Sequence, residues 1–315
     1  MTMKKPLYIF CSITLCCLLW SLRSFSQDDG IMTLRIMSYN IQHGAGMDDV
    51  IDLDRQAAVI QAALPDIVGL QEVDSCVKRS GYINEAAVLA GKLGMHATFG
   101  PAIPLTRGKY GVAILSKEEP LSVRNIPLPG EEKRTLLVCE FQEYVFASTH
   151  LDLKEENRLA SADIILEEAA RWEKPFFICG DWNDTPTSTL LTKLKKKMHI
   201  LNNTTASSTN YTFPASKPTT LIDYIATYGH VIKSIKKRTV INEPSASDHR
   251  PVLVEITIKQ YTTGVQATSL GSIPVQNEEI YDLTGRIVNR KSSNCKLTQG
   301  GLYILKNEKR LVAVK

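Results

Sequence analysis

The sequence predicts an α/β (α+β) protein in which a mixed β-sheet system carries its helices on the outside. Three observations lead there. Short apolar runs of β character recur along the chain, and several are bounded by acids, amides or histidines. Helical periodicity appears only after one or several such runs, without the strict strand–helix alternation of a Rossmann or barrel repeat. A stretch rich in Thr, Ser, Gly and Gln, 262–276, then separates this body from a last set of short β-like runs with Gly285 and Gly300-Gly301 at turns.

The layout that follows is a leader over 1–26, a body over 27–260, a linker over 261–278 and a small β module over 279–315. Lys4 and Lys5 open the leader, Leu7 to Trp20 is an apolar run of 14 residues, and Ser24-Phe25-Ser26 supplies small residues for cleavage. That is the pattern of a signal peptide, too short for a membrane span, so the expectation is an exported protein (periplasmic, cell-surface or secreted) with no span left after cleavage.

Within the body, Leu34–Tyr39 reads as a strand. Leu53–Leu64 reads as a helix with Leu53, Ala57, Ile60 and Leu64 on one face, stopped by Pro65 and Asp66. Ile67–Leu70 is a short buried strand leading to Glu72, and Ala86–Leu93 a second helix. Gly111–Leu115, Leu136–Phe141 and Tyr144–Thr149 are strands, and Arg158–Trp172 is a strong helix. Phe176–Cys179 is a strand ending at Asp181, Thr187 or Ser188 caps a helix through Leu194, and Leu221–Ala226 and Val252–Ile258 are the last strands of the body.

Composition excludes some classes. At 43 % hydrophobic and 22 % charged, the chain of 315 residues has the make-up of a globular protein. Its formal charge of +4 comes from 37 basic and 33 acidic residues. The leader holds three of the basic ones, and the segment from Tyr261 onward holds eight basic and four acidic. The body therefore has 26 against 29, a net of −3. A broad basic footprint for nucleic acid is absent. Cys76, Cys139, Cys179 and Cys295 remain after the leader; the second and third lie inside apolar runs and read as buried free thiols, and no spacing suggests zinc. No obligate protein partner is indicated.

The chemistry-bearing residues sit at strand edges. Asn40 ends the first strand, where it suits a turn as well as a ligand role. Glu72 follows the second run and can bind a magnesium-type ion, or stand as a solvated loop acid. His150 and Asp152 would share a side if the strand stayed extended, fit for phosphate contact, proton delivery or a second metal. Asp181 and Asn183 would likewise share a side, the acid taking a proton from water and the amide orienting water or phosphate. Asp223 lies in an apolar run and needs a partner, for which His249 is the candidate. Asp248 would point the other way, free for a metal. Arg134 and Arg158 are cations for phosphate charge, although such residues also serve as plain surface groups, and Lys193, Lys195, Lys196 and Lys197 read as a solvated helix face. Selectivity is expected from Cys76–Gly81, Pro101–Lys109 and Asn202–Lys217.

In this order, Asn40, Glu72, His150, Asp181-x-Asn183, Asp223 and Asp248-His249 resemble the endonuclease/exonuclease/phosphatase superfamily, the DNase I-like fold, over about residues 33 to 258. Tyr110–Ser116 is similar to its central strand, with Val112 where Asn often stands. The resemblance implies a four-layer sandwich: two mixed β-sheets face to face, flanked by helices. It implies hydrolysis of a phosphodiester or phosphomonoester by in-line attack of water. Glu72, Asn40 and Asp248 would hold Mg²⁺ or Mn²⁺, Asp181 would activate water that Asn183 positions, and His249, backed by Asp223, would stabilise or protonate a phosphate oxygen that His150 also touches. The substrate stays open between a small molecule, a lipid head group and DNA or RNA. A catalytically silent binding protein of the same fold is the reading from another class. Tyr281–Arg286 and Gly301-Leu302-Tyr303 resemble a type IX secretion sorting domain; the alternative is a plain accessory module.

Overall fold

The computed structural model describes residues 30–229 and 231–259 and, beyond them, the backbone of short strands between Thr268 and Val314. The predicted leader lies outside the described residues. Of the two units into which the chain divides, 1–31 and 32–315, the second holds the sheets and helices described below.

Two six-stranded sheets form the body. The first has the order β11 (Ile232–Val240), β12 (Val252–Lys259), β1 (Ile31–Asn40), β2 (Ile67–Ser75), β4 (Gly108–Ser116), β3 (His96–Leu105). The second has the order β5 (Ser122–Leu128), β6 (Arg134–Glu140), β7 (Val145–His150), β8 (Phe176–Asp181), β10 (Asp223–Tyr228), β9 (Met198–Ile200). Both are mixed: β1 and β2 run parallel, as do β7 and β8, while β4 and β10 return antiparallel. The second sheet is one continuous stretch of chain set between the two parts of the first.

The helices are α1 (Leu53–Ala63), α2 (Glu85–Leu93), α3 (Glu155–Ala170) and α4 (Thr189–Leu194). Local chemistry sets their ends. Asp52 accepts from the backbone N–H groups of Asp54 and Arg55, Asn84 from that of Ala87 and Ser188 from that of Leu191. Leu64 and Gly94 close α1 and α2 in the left-handed conformation.

Burial separates into three apolar layers, which is the physical basis of the four-layer sandwich. Leu34, Ile36, Ile67 and Ile114 of the first sheet meet Leu137, Phe146, Phe177 and Ile225 of the second. Met37, Val68 and Leu70 face outward onto Ile60 of α1 and Leu89 of α2. Ala147, Ile178 and Ala226 face outward onto Ile165 of α3 and Leu190 and Leu194 of α4. Strand alternation alone produces this, since residues two apart share a face.

The two sheets approach closely at Gly69. A Cβ there would sit 2.1 Å from Cys179 Sγ and 3.0 Å from Ser148 Oγ. Beside it runs a buried polar ladder between the sheets: Ser38 Oγ donates to Gln71 Oε1 (3.4 Å), and Gln71 Nε2 donates to Ser148 Oγ (3.2 Å). Cys139 and Cys179 are buried free thiols, and Cys76 is an exposed one.

Four strands of the body are absent from the sequence-based expectation: β3, β5, β9 and β11. All four are sheet edges. β3 carries Pro101 and Pro104, β5 carries Pro127, β11 carries Lys233, Lys236, Lys237 and Arg238, and β9 is three residues long. Charge, proline and shortness are how edge strands avoid pairing with other chains, and they erase the apolar run that announces a strand. The stretch 101–109, expected as a loop, is therefore mostly the hairpin of β3 and β4. Among the described residues no helix is long and apolar enough to cross a membrane.

In the C-terminal segment, strands Thr268–Leu270, Arg310–Val314, Gly301–Leu305, Ile280–Asp282 and Ile287–Asn289 form one five-stranded sheet, and Pro274–Val275 pairs with Cys295–Lys296. Thr268–Leu270 and Pro274–Val275 fall inside the stretch read as a linker.

Candidate active site

The strands that supply Asn40, His150, Asp181 and Asp223 meet at one rim of the sandwich, β1, β7 and β8 ending there and β10 starting there. In the parallel pairs, Asn40 is in register with Gln71 and His150 with Asp181, and antiparallel β10 brings its first residue, Asp223, opposite Asp181. The turn before β12 is tied to the end of β1 because Ser247 Oγ donates to Asn40 O (2.7 Å). That places Asp248 and His249 at the rim.

Asp181 Oδ2 is the focus. Asn40 Nδ2 lies 3.2 Å from it, His150 Nε2 3.5 Å and His249 Nε2 3.6 Å. Its other oxygen, Oδ1, accepts the backbone N–H of Asn183 at 2.9 Å. Asn40 Nδ2 also donates to Glu72 Oε1 (3.0 Å), so one amide links the two acids across the sheets. Asn40 Oδ1 accepts the backbone N–H of Gln42 (3.1 Å), which fixes the amide with its nitrogen toward the carboxylates.

Glu72 owes its direction to a β-bulge. The register of β2 against β4 slips between Leu70 and Val73, and Glu72 has φ +57°. Bulges re-aim side chains beside functional sites, and a non-glycine residue held left-handed requires support. Support comes from Glu85, wholly buried, whose Oε2 accepts the N–H of Asp74 two residues on (2.8 Å). Burial pushes the Glu85 carboxyl up to about 8, against the pull of the Asp74 N–H. A carboxyl raised when folded favours the fold while protonated. Stability is thus full below the ordinary glutamate range and falls as pH rises from about 4.5 through about 8. Glu85→Gln is expected to flatten the decline in Tm between pH 5 and 8, read by thermal melts across that range.

Asp223 Oδ2 and His249 Nδ1 are 2.9 Å apart and both residues are buried. Burial alone lowers a histidine, but the carboxylates of Asp223, Asp181 and Asp248 outweigh it and push His249 up to about 10. Asp181 is also raised, to about 7, by burial and by Asp223 and Glu72, so its neutral form is the one favoured. Burial and Glu72 also raise Asp248. His150 is different: burial, then Arg134 and His249, lower it well below the ordinary histidine value, so it stays neutral. Asn183 Nδ2 donates to Leu151 O (2.9 Å) and lies 3.0 Å from His150 Nε2, which makes Nε2 the acceptor and puts the proton on Nδ1. The ring of Phe213 packs on His249 with centroids 4.8 Å apart.

Some expectations need correction. β7 ends at His150, so alternation does not carry to Asp152, whose carboxylate accepts the N–H groups of Glu131 and Lys154 and the amide of Asn157. It braces the entry to α3. Arg158 is bound to Asp184 (3.0 Å) and to the carbonyls of Asp152 and Leu153. Both side chains are engaged in these loop contacts. Asn183 lies past the end of β8 with φ +49°, and its side chain orients His150 rather than extending alongside Asp181. Asp223 begins β10 instead of lying inside it. Arg134 is near the cluster: it is buried, lines a small cavity with His150 and Tyr110, and its Nε has no partner among the described residues.

Four acids crowd this rim, and two of them, Asp181 and Asp248, are raised first by burial and then by the charges of Glu72 and Asp223. Among the described residues, Asp181, Asp223 and His249 bring one ligand atom each within 4.8 Å of one another. With His249 protonated between Asp181 and Asp223, the carboxylates of Glu72 and Asp248 are the oxygen donors that fit a hard divalent cation.

Comparison with known proteins places the body within a family. A family model described as Endonuclease/Exonuclease/phosphatase family matches residues 37–249. No curated protein matches. Among solved structures, an endonuclease/exonuclease/phosphatase from Beutenbergia cavernae is 18% identical with TM-score 0.57, covering 82% of this chain and 88% of that one. A mannosyl-6-phosphatase from Bacteroides thetaiotaomicron is 20% identical with TM-score 0.54, covering 71% and 99%. The human Nocturnin catalytic domain with bound sulfate is 23% identical with TM-score 0.54, covering 71% and 93%.

Proposed function

Because the chain belongs to the endonuclease/exonuclease/phosphatase family, we propose that it is an exported, divalent-metal-dependent phosphoester hydrolase acting on small phosphoesters in preference to nucleic acid polymers. The observation that carries the reading is the convergence of Asn40, His150 and His249 on Asp181 Oδ2, with Glu72 joined through the same amide. The −3 body favours small substrates over a polyanion, and the apolar leader favours export.

Glu72 and Asp248 would hold Mg²⁺ or Mn²⁺, whose charge would neutralise phosphoryl oxygens. The chain's own groups do the rest. Asp181, its Oδ1 held by the Asn183 N–H, accepts through Oδ2 the proton of the attacking water. The water oxygen bonds to phosphorus as the P–O bond to the leaving group breaks opposite it. Asp223 keeps the proton on His249 Nδ1 and sustains the imidazolium, so that Nε2–H faces a phosphoryl or leaving oxygen. Neutral His150 donates through Nδ1–H without carrying charge. A secreted nuclease of the same family and an inactive binder of the same fold are the competing readings.

The test is hydrolysis of bis-p-nitrophenyl phosphate and p-nitrophenyl phosphate with Mg²⁺ or Mn²⁺. Turnover is expected to vanish in EDTA and to return with excess Mg²⁺. Unchanged turnover after chelation removes the metal-dependent reading, and plasmid DNA consumed faster than either small ester favours the nuclease.

A further inference from the structure

Two of the three segments expected to set selectivity meet beside the catalytic cluster. Arg79, Tyr110, Glu132 and Lys133 line a cleft of about 540 Å³ together with the apolar Ile103 and Leu105 of β3. Tyr110 and Lys133 also line the small cavity behind it that reaches Arg134 and His150, so the cleft adjoins the histidine expected at the phosphate.

The cleft is built in advance. Arg79 donates through Nε and Nη2 to both oxygens of wholly buried Asp74 (2.8 and 2.9 Å), and its guanidinium lies 5.3 Å from the centre of the Tyr110 ring. A side chain clamped on one edge and stacked on one face presents its remaining N–H groups in a fixed direction. Behind it, Arg134 Nε and His150 Nδ1 are buried with no partner among the described residues. Buried donors left unpaired point to a group that completes them.

The lining decides what that group is. A phosphate-rich polymer calls for a row of cations without facing acids, and an acyl chain for a mainly apolar wall. Here cations (Arg79, Lys133), acids (Glu131, Glu132) and a short apolar strip stand together in one space. Hydroxyls both donate and accept, so a polyhydroxylated ring satisfies groups of both signs while its C–H face packs on Ile103 and Leu105. The volume holds a small ligand. We propose that this cleft binds the sugar-like organic part of a sugar phosphate, with Arg79 and Lys133 as specificity-determining residues. The proposal rests on the hydrolase reading for its chemistry, but binding is testable without it.

Full-length protein, Lys133→Gln and Arg79→Lys are compared for kcat/KM on glucose 6-phosphate, phenyl phosphate and a dinucleotide, with Tm recorded for each. Calorimetric titration of glucose 6-phosphate accompanies them. Glucose 6-phosphate is expected to be the best substrate, and each variant to lower its ratio of kcat/KM to that of phenyl phosphate by about tenfold, mostly through KM. A ratio unchanged within twofold in both variants overturns the proposal, as does a wild type that prefers the dinucleotide. Glucose 6-phosphate bound by wild type and weakened in both variants, without any ester being hydrolysed, sustains the cleft and removes the hydrolase. Hydrolysis of phenyl phosphate without glucose 6-phosphate binding does the reverse.

Discussion

Asp181→Asn lowers kcat by about 10²–10⁴-fold while the protein remains folded, the span associated with losing a positioned proton acceptor. The amide keeps an oxygen for the Asn183 N–H but loses the basic atom at Oδ2, on which Asn40, His150 and His249 converge. It also sets an N–H₂ against the N–H₂ of Asn40, so part of the loss comes from displaced geometry. The pH profile separates the two. Wild-type kcat/KM should rise as pH climbs through the ionisation of Asp181, raised to about 7, because only the carboxylate takes a proton. His249, pushed up to about 10, remains protonated across that range and supplies no acid limb. The variant should lose the rise along with the rate. Full turnover in the Asp181→Asn protein would sink the assignment.

Gly69→Ala is expected to cost about 1–3 kcal/mol of stability, the range for forcing a methyl into a filled interior. The new Cβ would meet Cys179 Sγ at 2.1 Å and Ser148 Oγ at 3.0 Å, short side chains of the facing sheet that are wholly buried and have little room to yield. Cys179→Ala removes the obstructing sulfur. The double variant should therefore recover part of the loss, and urea titrations of the four proteins read the coupling. Additive losses would mean that the sheets do not meet there. Activity in the single variant should fall more than stability alone explains, because Ser148 and Gln71, next to the clash, lie one or two residues from His150 and Glu72.

The interior strands are legible in the sequence because burial on both faces leaves an uninterrupted apolar run, as in Ile67–Leu70 or Phe176–Ile178. The edge strands are not, because solvation lets Pro101 or Lys236 stand where a central strand would hold valine. At the site, Glu72, Asp181, Asp223 and His249 are legible from their places beside those runs. What fails is projection past a strand's last residue. Asp152 and Asn183 are assigned by a two-residue alternation that stops at His150 and Asp181. The Glu72 bulge, the Ser38–Gln71–Ser148 ladder and the Arg79–Asp74 clamp leave no local pattern, since each depends on partners far along the chain.

The second sheet is a single uninterrupted stretch of chain, and His249 belongs to the part that returns after it. The 2.9 Å contact between His249 and Asp223 therefore joins a side chain of one half of the molecule to a side chain of the other. Catalysis becomes a gauge of assembly. A fragment holding either layer alone carries acids and histidines but no complete dyad, and a protein whose layers have parted falls silent before its helices melt.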